Sequence, residues 1–191
     1  MKRFFLCAIA ATFLLTACGG SGEEGDNTQN DQSTDTLDYS GMTEMSLKDQ
    51  GLNIKFMLPE VASSTGASIE PLVEHDDGDY LWHVKIGTRF HLIIEDYGKE
   101  KDKVANEKAR LGDLNKIFVV EYLVDEPNLI MYKRTLHEEQ GGQPSYHCYG
   151  ETVIDGYTYV LRSQEDGNLK PIIDDMVKTI RSAKPLEAAA S

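Results

Sequence analysis

The sequence predicts an α+β fold: a mostly antiparallel sheet of about seven or eight strands, a middle helix and a carboxy-terminal amphipathic helix packed on the sheet. Two observations carry this reading. From Ser46 onward, short apolar runs alternate at period two and are separated by tight-turn residues, the mark of half-buried strands joined as hairpins. After Asn168 the spacing changes to three and four residues, the mark of a helix with one core-facing side. The single domain is expected over residues 41–185, preceded by a segment with different chemistry and followed by a loose tail at 186–191.

That first segment begins with a positive head, Lys2 and Arg3, and an apolar run from Phe4 to Leu15. The run is shorter than the ~20 residues a membrane span needs, and it fits the core of a signal peptide over residues 1–17. It leads to Leu15-Thr16-Ala17-Cys18 and then to Gly19-Gly20-Ser21-Gly22. This arrangement resembles the lipobox of bacterial lipoprotein precursors. The resemblance implies cleavage before Cys18, diacylglycerol on its sulfur and usually an acyl chain such as palmitate on its nitrogen. Lipid anchoring would follow physically, since each buried methylene contributes ~0.8 kcal/mol and stable residence needs more than one chain. A cell-envelope location follows in turn, most naturally the outer membrane, at its periplasmic face or the cell surface.

Residues 18–40 read as a disordered acidic tether. Between residues 19 and 38 there is no Lys or Arg, and six acids stand among Gly, Ser, Thr, Asn and Gln: Glu23, Glu24, Asp26, Asp31, Asp35 and Asp38. Such a composition cannot bury enough apolar surface to offset its ordering entropy. Acids directly after a lipidated cysteine also resemble a surface-export signal of some Gram-negative lineages. The formal charge of −13 becomes −15 once Lys2 and Arg3 leave, and about −9 of that belongs to the domain. That excess argues against nucleic acid and against electrostatic docking on anionic lipid.

Within the domain, "GLNIKFMLPE" alternates Leu52, Ile54, Phe56 and Leu58, and Pro59 ends the strand. "SIEPLVEHDDGDYLWHVKIGTRFHLIIEDYG" reads as a three-strand meander turning at Asp77-Gly78 and at Gly87-Thr88. "KIFVVEYLVDEPNLIMYKRTL" reads as a hairpin turning at Glu126-Pro127-Asn128. "PSYHCYGETVIDGYTYVLRSQ" reads as another, and Asp155-Gly156 sets its register: Ile154 opposite Tyr157, Thr152 opposite Tyr159, Gly150 opposite Leu161 and Cys148 opposite Ser163. These residues form a mainly apolar face. Tyr149, Glu151, Val153, Thr158, Val160 and Arg162 form a wetter one.

The middle helix is expected in "GKEKDKVANEKARLGD", with a thin stripe at Val104 and Leu111, a stop at Gly112 and charge pairs such as Glu107 with Arg110. The closing helix, "NLKPIIDDMVKTIRSAKP", carries a stripe of Leu169, Ile172, Ile173, Met176, Val177 and Ile180. Asn168 is its expected cap, with Asp174 and Asp175 early and Lys178 and Arg181 late. The element order, with "IKFMLP" in front and "IIDDMVKTI" behind, resembles PsbP/Mog1-type domains, which occur in some bacterial lipoproteins.

No catalytic motif, cofactor motif or zinc-site spacing is present in the sequence. His75, Asp76, Asp77 and Asp79 crowd one turn beside Glu74, but Val73 and Val84 stand where a calcium loop needs oxygen ligands. If Gly87-Thr88 is a two-residue turn, His83 and His91 point to opposite sides of the sheet, which disfavours a metal clasp. Cys148 is expected to be a small buried hydrophobe, because the adjacent His147 points to the other face of its strand. Tyr122, Tyr132, Tyr146, Tyr149, Tyr157 and Tyr159 cluster in the last two hairpins, where sheet packing outweighs a binding role. The expected function is therefore that of a non-enzymatic envelope lipoprotein, binding a protein partner or serving envelope assembly. Two alternatives are a small-ligand or metal-binding envelope protein and, behind it, an enzyme using Cys148.

Overall fold

Alternation at period two becomes strand pairing throughout the computed structural model, which describes residues 37–60, 70–76, 78–137 and 141–187. The expected signal peptide, Cys18, the expected tether up to residue 36 and the last four residues of the expected tail lie outside this description. The elements in chain order are β1 (Met42–Ser46), β2 (Ile54–Pro59), β3 (Leu72–Glu74), β4 (Leu81–Ile86), β5 (Phe90–Asp96), α1 (Lys103–Asp113), β6 (Phe118–Asp125), β7 (Leu129–Leu136), β8 (Ser145–Ile154), β9 (Tyr157–Arg162), α2 (Lys170–Ser182) and β10 (Lys184–Pro185). The fold is α+β. A seven-stranded antiparallel sheet runs β3-β4-β5-β9-β8-β7-β6, and a three-stranded one runs β1-β2-β10.

The large sheet joins two meanders. One is β3 to β5 and the other β6 to β9, and they meet where β9 pairs with β5 from Ile93–Arg162 to Asp96–Tyr159. The last hairpin has the register its turn predicts: Ile154 faces Tyr157, Thr152 faces Tyr159 and Gly150 faces Leu161. Asp155 and Gly156 both take positive φ, 53° and 81°, as a two-residue turn of this twist requires. Cys148 and Ser163 are joined one step further on by Ser163 N–H donating to the Cys148 carbonyl at 3.0 Å.

The two helices lie on opposite faces of this sheet. α2 packs against β2 and β8, and its Ile173, Met176, Val177 and Ile180 enter one core with Phe56, Leu58, Ile94, Leu129, Met131, Cys148 and Leu161. Each such side chain, fully buried, contributes about 1.5–3 kcal/mol. Gly150 in mid-β8 is required by this packing, since a Cβ there would lie 2.5 Å from Ile180 Cγ2 and 3.0 Å from Leu129 Cδ1. On the other face α1 sets Val104 and Leu111 against Ile130 and Tyr132, the residues that alternate with Leu129 and Met131 along β7.

Several local expectations need correction. The connection from β4 to β5 holds three residues, because Ile86 pairs with Phe90 and Gly87, with φ 57°, opens a longer turn. Gly112 lies within α1, which ends at Asp113, so it is no stop signal. Asn168 does not cap α2: Leu169 holds that position, and the Asn168 amide donates instead to the Arg89 carbonyl at 2.6 Å. Leu169 is 60% exposed and leaves the stripe, because the helix proper starts one residue later. The turn at Gly78 is closed by Asp79 N–H donating to the Asp76 carbonyl at 3.0 Å, but pairing begins only at Glu74 and His83. β1 and β10 are strands by virtue of β2, since neither has an apolar alternation of its own.

Candidate functional site

The face that carries α1 is the wetter one, and it becomes a pocket where α1 meets the sheet. Strand alternation aims Tyr132 and Arg134 of β7, His147 and Tyr149 of β8, Arg162 of β9 and Glu95 of β5 to this side. The helix adds Glu107 and Arg110, and the Gln164–Glu165 turn forms a rim. The pocket, open on one side, has a volume of about 230 Å³.

The helix reaches this position through an unexpected cap. Asp102 precedes it with φ 61° and offers no side-chain bond to its amides. Glu151 of β8 does so instead, its Oε2 accepting from the Lys103 and Val104 amides at 2.5 and 3.1 Å. A carboxylate there satisfies orphan donors and complements the positive end of the helix. The α1 start is thus docked onto the sheet.

Two forked ion pairs face the pocket. Arg110 Nε and an Nη each lie 2.7 Å from the two Glu107 oxygens, a bidentate geometry, and Glu107 is 8% exposed. That hydrogen bond holds the guanidinium pKa well above its ordinary value. Arg162 donates to Glu95 Oε1 at 2.6 and 3.1 Å, and Tyr97 O–H donates to the other oxygen at 2.9 Å. Arg134 is held differently, donating to the Glu165 carbonyl at 2.8 Å and lying 4.6 Å over the Phe118 ring. Between these groups stand Tyr132 and Tyr149. Burial raises both phenols above their usual range, with Glu107 adding to the rise at each.

His147 is built into the wall. Its ring stacks on Tyr132 at 4.9 Å and 9°, and Ser145 Oγ lies 2.8 Å from Nε2. Burial, with Arg134 next, pushes its pKa down to about 4, so it is neutral near pH 7. Cys148 points the other way, into the α2 core, and burial pushes its thiol up to about 12. A buried, protonated thiol of this kind is a poor nucleophile.

The two histidines of β4 and β5 are a clear reversal of expectation. The three-residue turn shifts the register by one, so His83 pairs with Ile93 and His91 with Lys85. The histidines are therefore diagonal neighbours on one face, with His83 Nδ1 2.8 Å from His91 Nε2. At the neighbouring tip, whose Asp77 lies outside the described residues, His75 stacks on Trp82 at 4.4 Å and meets the Leu81 carbonyl through Nδ1 at 2.9 Å. Among the described residues no group of three or more His, Cys, Asp or Glu is arranged to hold a metal ion.

Of the pocket residues, the sequence had marked Tyr132, His147, Cys148, Tyr149, Arg162 and the Glu107–Arg110 pair, each for a local reason. Glu95, Tyr97 and Arg134 passed unmarked because the pocket draws on β5, α1, β7, β8 and β9, which only tertiary pairing brings together. No helix among the described residues is long and apolar enough to cross a membrane. The chain matches no protein-family model, and no curated protein matches it.

Proposed function

We propose that this chain is a lipid-anchored protein of the bacterial cell envelope whose domain binds a small polar ligand in the pocket between α1 and the large sheet. The anchor part rests on the lipobox-like Leu15-Thr16-Ala17-Cys18. The ligand part rests on one observation: three arginines and three glutamates converge with Tyr97, Tyr132 and Tyr149 around about 230 Å³. That volume is below the ~300–1,000 Å³ of drug-sized sites, which favours a molecule of amino-acid size. Arg110 and Arg134 carry further guanidinium N–H groups beyond those bonded to Glu107 and the Glu165 carbonyl, which favour a carboxylate on the ligand, and the glutamates beside them favour an amine, so an amphoteric molecule suits the lining best. The role is binding rather than catalysis: Cys148 is turned away, and His147 is built into the wall with its Nε2 held by Ser145.

The test uses the full lipidated chain in detergent micelles, with a panel of amino acids, dicarboxylates and diamines read by thermal shift and calorimetry. An amphoteric compound is expected to raise Tm, and Arg110→Ala is expected to weaken its binding by about ten-fold, the ~1.4 kcal/mol of a charge-assisted contact. If no compound shifts Tm, or if Arg110→Ala binds as the parent does, the ligand reading fails. The anchor is checked separately, by a mature mass beginning at acylated Cys18.

A partner-binding role keeps one supporting observation. β6 is an edge of the large sheet, and Val119, Tyr122 and Leu123 on it are 47%, 38% and 39% exposed. An extended segment of an envelope protein could add there as a further strand.

A further inference from the structure

The His83–His91 pair stands apart from the pocket and is used by nothing described so far. The chain has five histidines. His75, His137 and His147 bond to the Leu81 carbonyl, the Asn115 carbonyl and Ser145 respectively. Only His83 and His91 turn ring nitrogens on each other, at 2.8 Å, with centroids 4.9 Å apart and planes at 61°. Both are half-buried, on β4 and β5, toward the β3 edge of the α1 face. The strands fix their Cα positions through the ladder from Leu81–Glu95 to Ile86–Phe90, so the two rings are held close before any ligand arrives.

We propose that His83 and His91 form a two-imidazole clamp for a first-row divalent transition-metal ion. Neutral imidazole is the common ligand of zinc, nickel and copper, at ~2.0–2.1 Å for zinc. A tetrahedral ion held at that length by two nitrogens needs them roughly 3.3–3.4 Å apart, so the rings open by about half an ångström and turn until both lone pairs converge on the ion. One proton now lies between the facing nitrogens, and in the metal-bound form the donor ring carries it on its far nitrogen instead. This is a change of tautomer within the pair, so no proton has to leave it. Glu74 lies in register with His83 and is ion-paired to Lys85. Its carboxylate is the nearest further oxygen donor on β3, and Lys85 restrains it. Water fills the remaining positions.

The experiment titrates ZnCl2, NiCl2 and CuCl2 into the full lipidated chain in micelles, with calorimetry and with NMR of the histidine ring nitrogens. One equivalent is expected to bind, copper tightest in keeping with the general affinity order, while only the His83 and His91 ring signals shift. His83→Gln and His91→Gln are each expected to weaken binding at least about ten-fold, the loss seen even for outer-shell partners of metal ligands. Lys85→Gln is expected to strengthen it by freeing Glu74. Unchanged affinity in both histidine variants would overturn the proposal, as would ring signals of His75 or His137 shifting first. Absence of saturable binding would reduce the pair to a hydrogen-bonded packing contact. Ring-nitrogen spectra of the unaltered chain keep the result readable if a variant loses its fold.

Discussion

The two faces of the seven-stranded sheet are built by the same strands and differ in almost every physical respect. On the α2 side, Leu129, Met131, Cys148 and Leu161 meet Ile173, Met176, Val177 and Ile180 in a dry core that also takes in Phe56 and Leu58 of the small sheet. On the α1 side only Val104, Leu111, Ile130 and Tyr132 form a buried apolar cluster. Around that cluster stand forked ion pairs, a neutral histidine and tyrosines. Packing stabilises the first face. The second satisfies buried polar groups pair by pair, and no buried side-chain polar atom among the described residues lacks a hydrogen-bond partner. The lesson is a division of labour: one face supplies stability, and the other is left free to present chemistry.

The sharpest way to break this contrast is to hollow out the dry face. Ile173→Ala removes a fully buried α2 side chain and is expected to cost about 2–5 kcal/mol in denaturant unfolding, from lost transfer energy and the remaining cavity. A loss under about 1 kcal/mol would mean that α2 is not the main source of stability.

The polar face should respond to acid. His147 has its pKa held near 4 in the fold against 6.5 as an ordinary imidazole, so the unfolded chain takes up its proton first as pH falls. Its contribution is intact above pH 6.5 and is lost progressively toward pH 4, by about 3 kcal/mol in all. Urea unfolding across that window, with His147→Gln as reference, isolates this slope from the carboxylates. Equal slopes in the two proteins would show that His147 is open to water.

The smallest effect sharpens the contrast. The Tyr132 hydroxyl lies 3.5 Å from Glu107 Oε1, a distance at which little hydrogen-bond energy remains. Tyr132→Phe is accordingly expected to change stability by less than about 1 kcal/mol while keeping the ring stack on His147. A larger loss, measured by the same unfolding, would mean that the phenol is integral to the Glu107–Arg110 network.

Much of the fold was legible because it was local. The Asp155-Gly156 turn requires two positive φ angles, and that alone set the β8–β9 register and the inward aim of Cys148. The α2 stripe follows from helical spacing, and only its first residue was misassigned. At β4–β5 the same reasoning failed. Gly87 invited a two-residue turn where the chain takes three, and because side chains alternate, a one-residue slip moved His91 to the face of His83. Glu107 and Arg110 were recognised as a pair, but only docking against Tyr132 made that pair part of a buried wall.

By itself, the order of residues determined the α+β class, the antiparallel hairpins and the buried face of the closing helix, since each depends on spacing and turn chemistry within a few residues. Only the tertiary structure decided that β9 would join β5, that Glu151 would cap α1 from a distant strand, and that Arg110, Arg134 and Arg162 would share one pocket. The physical reason is range. Backbone preferences and periodicity act between near neighbours, whereas convergence of polar side chains from five elements depends on how the two meanders dock and which face each helix covers.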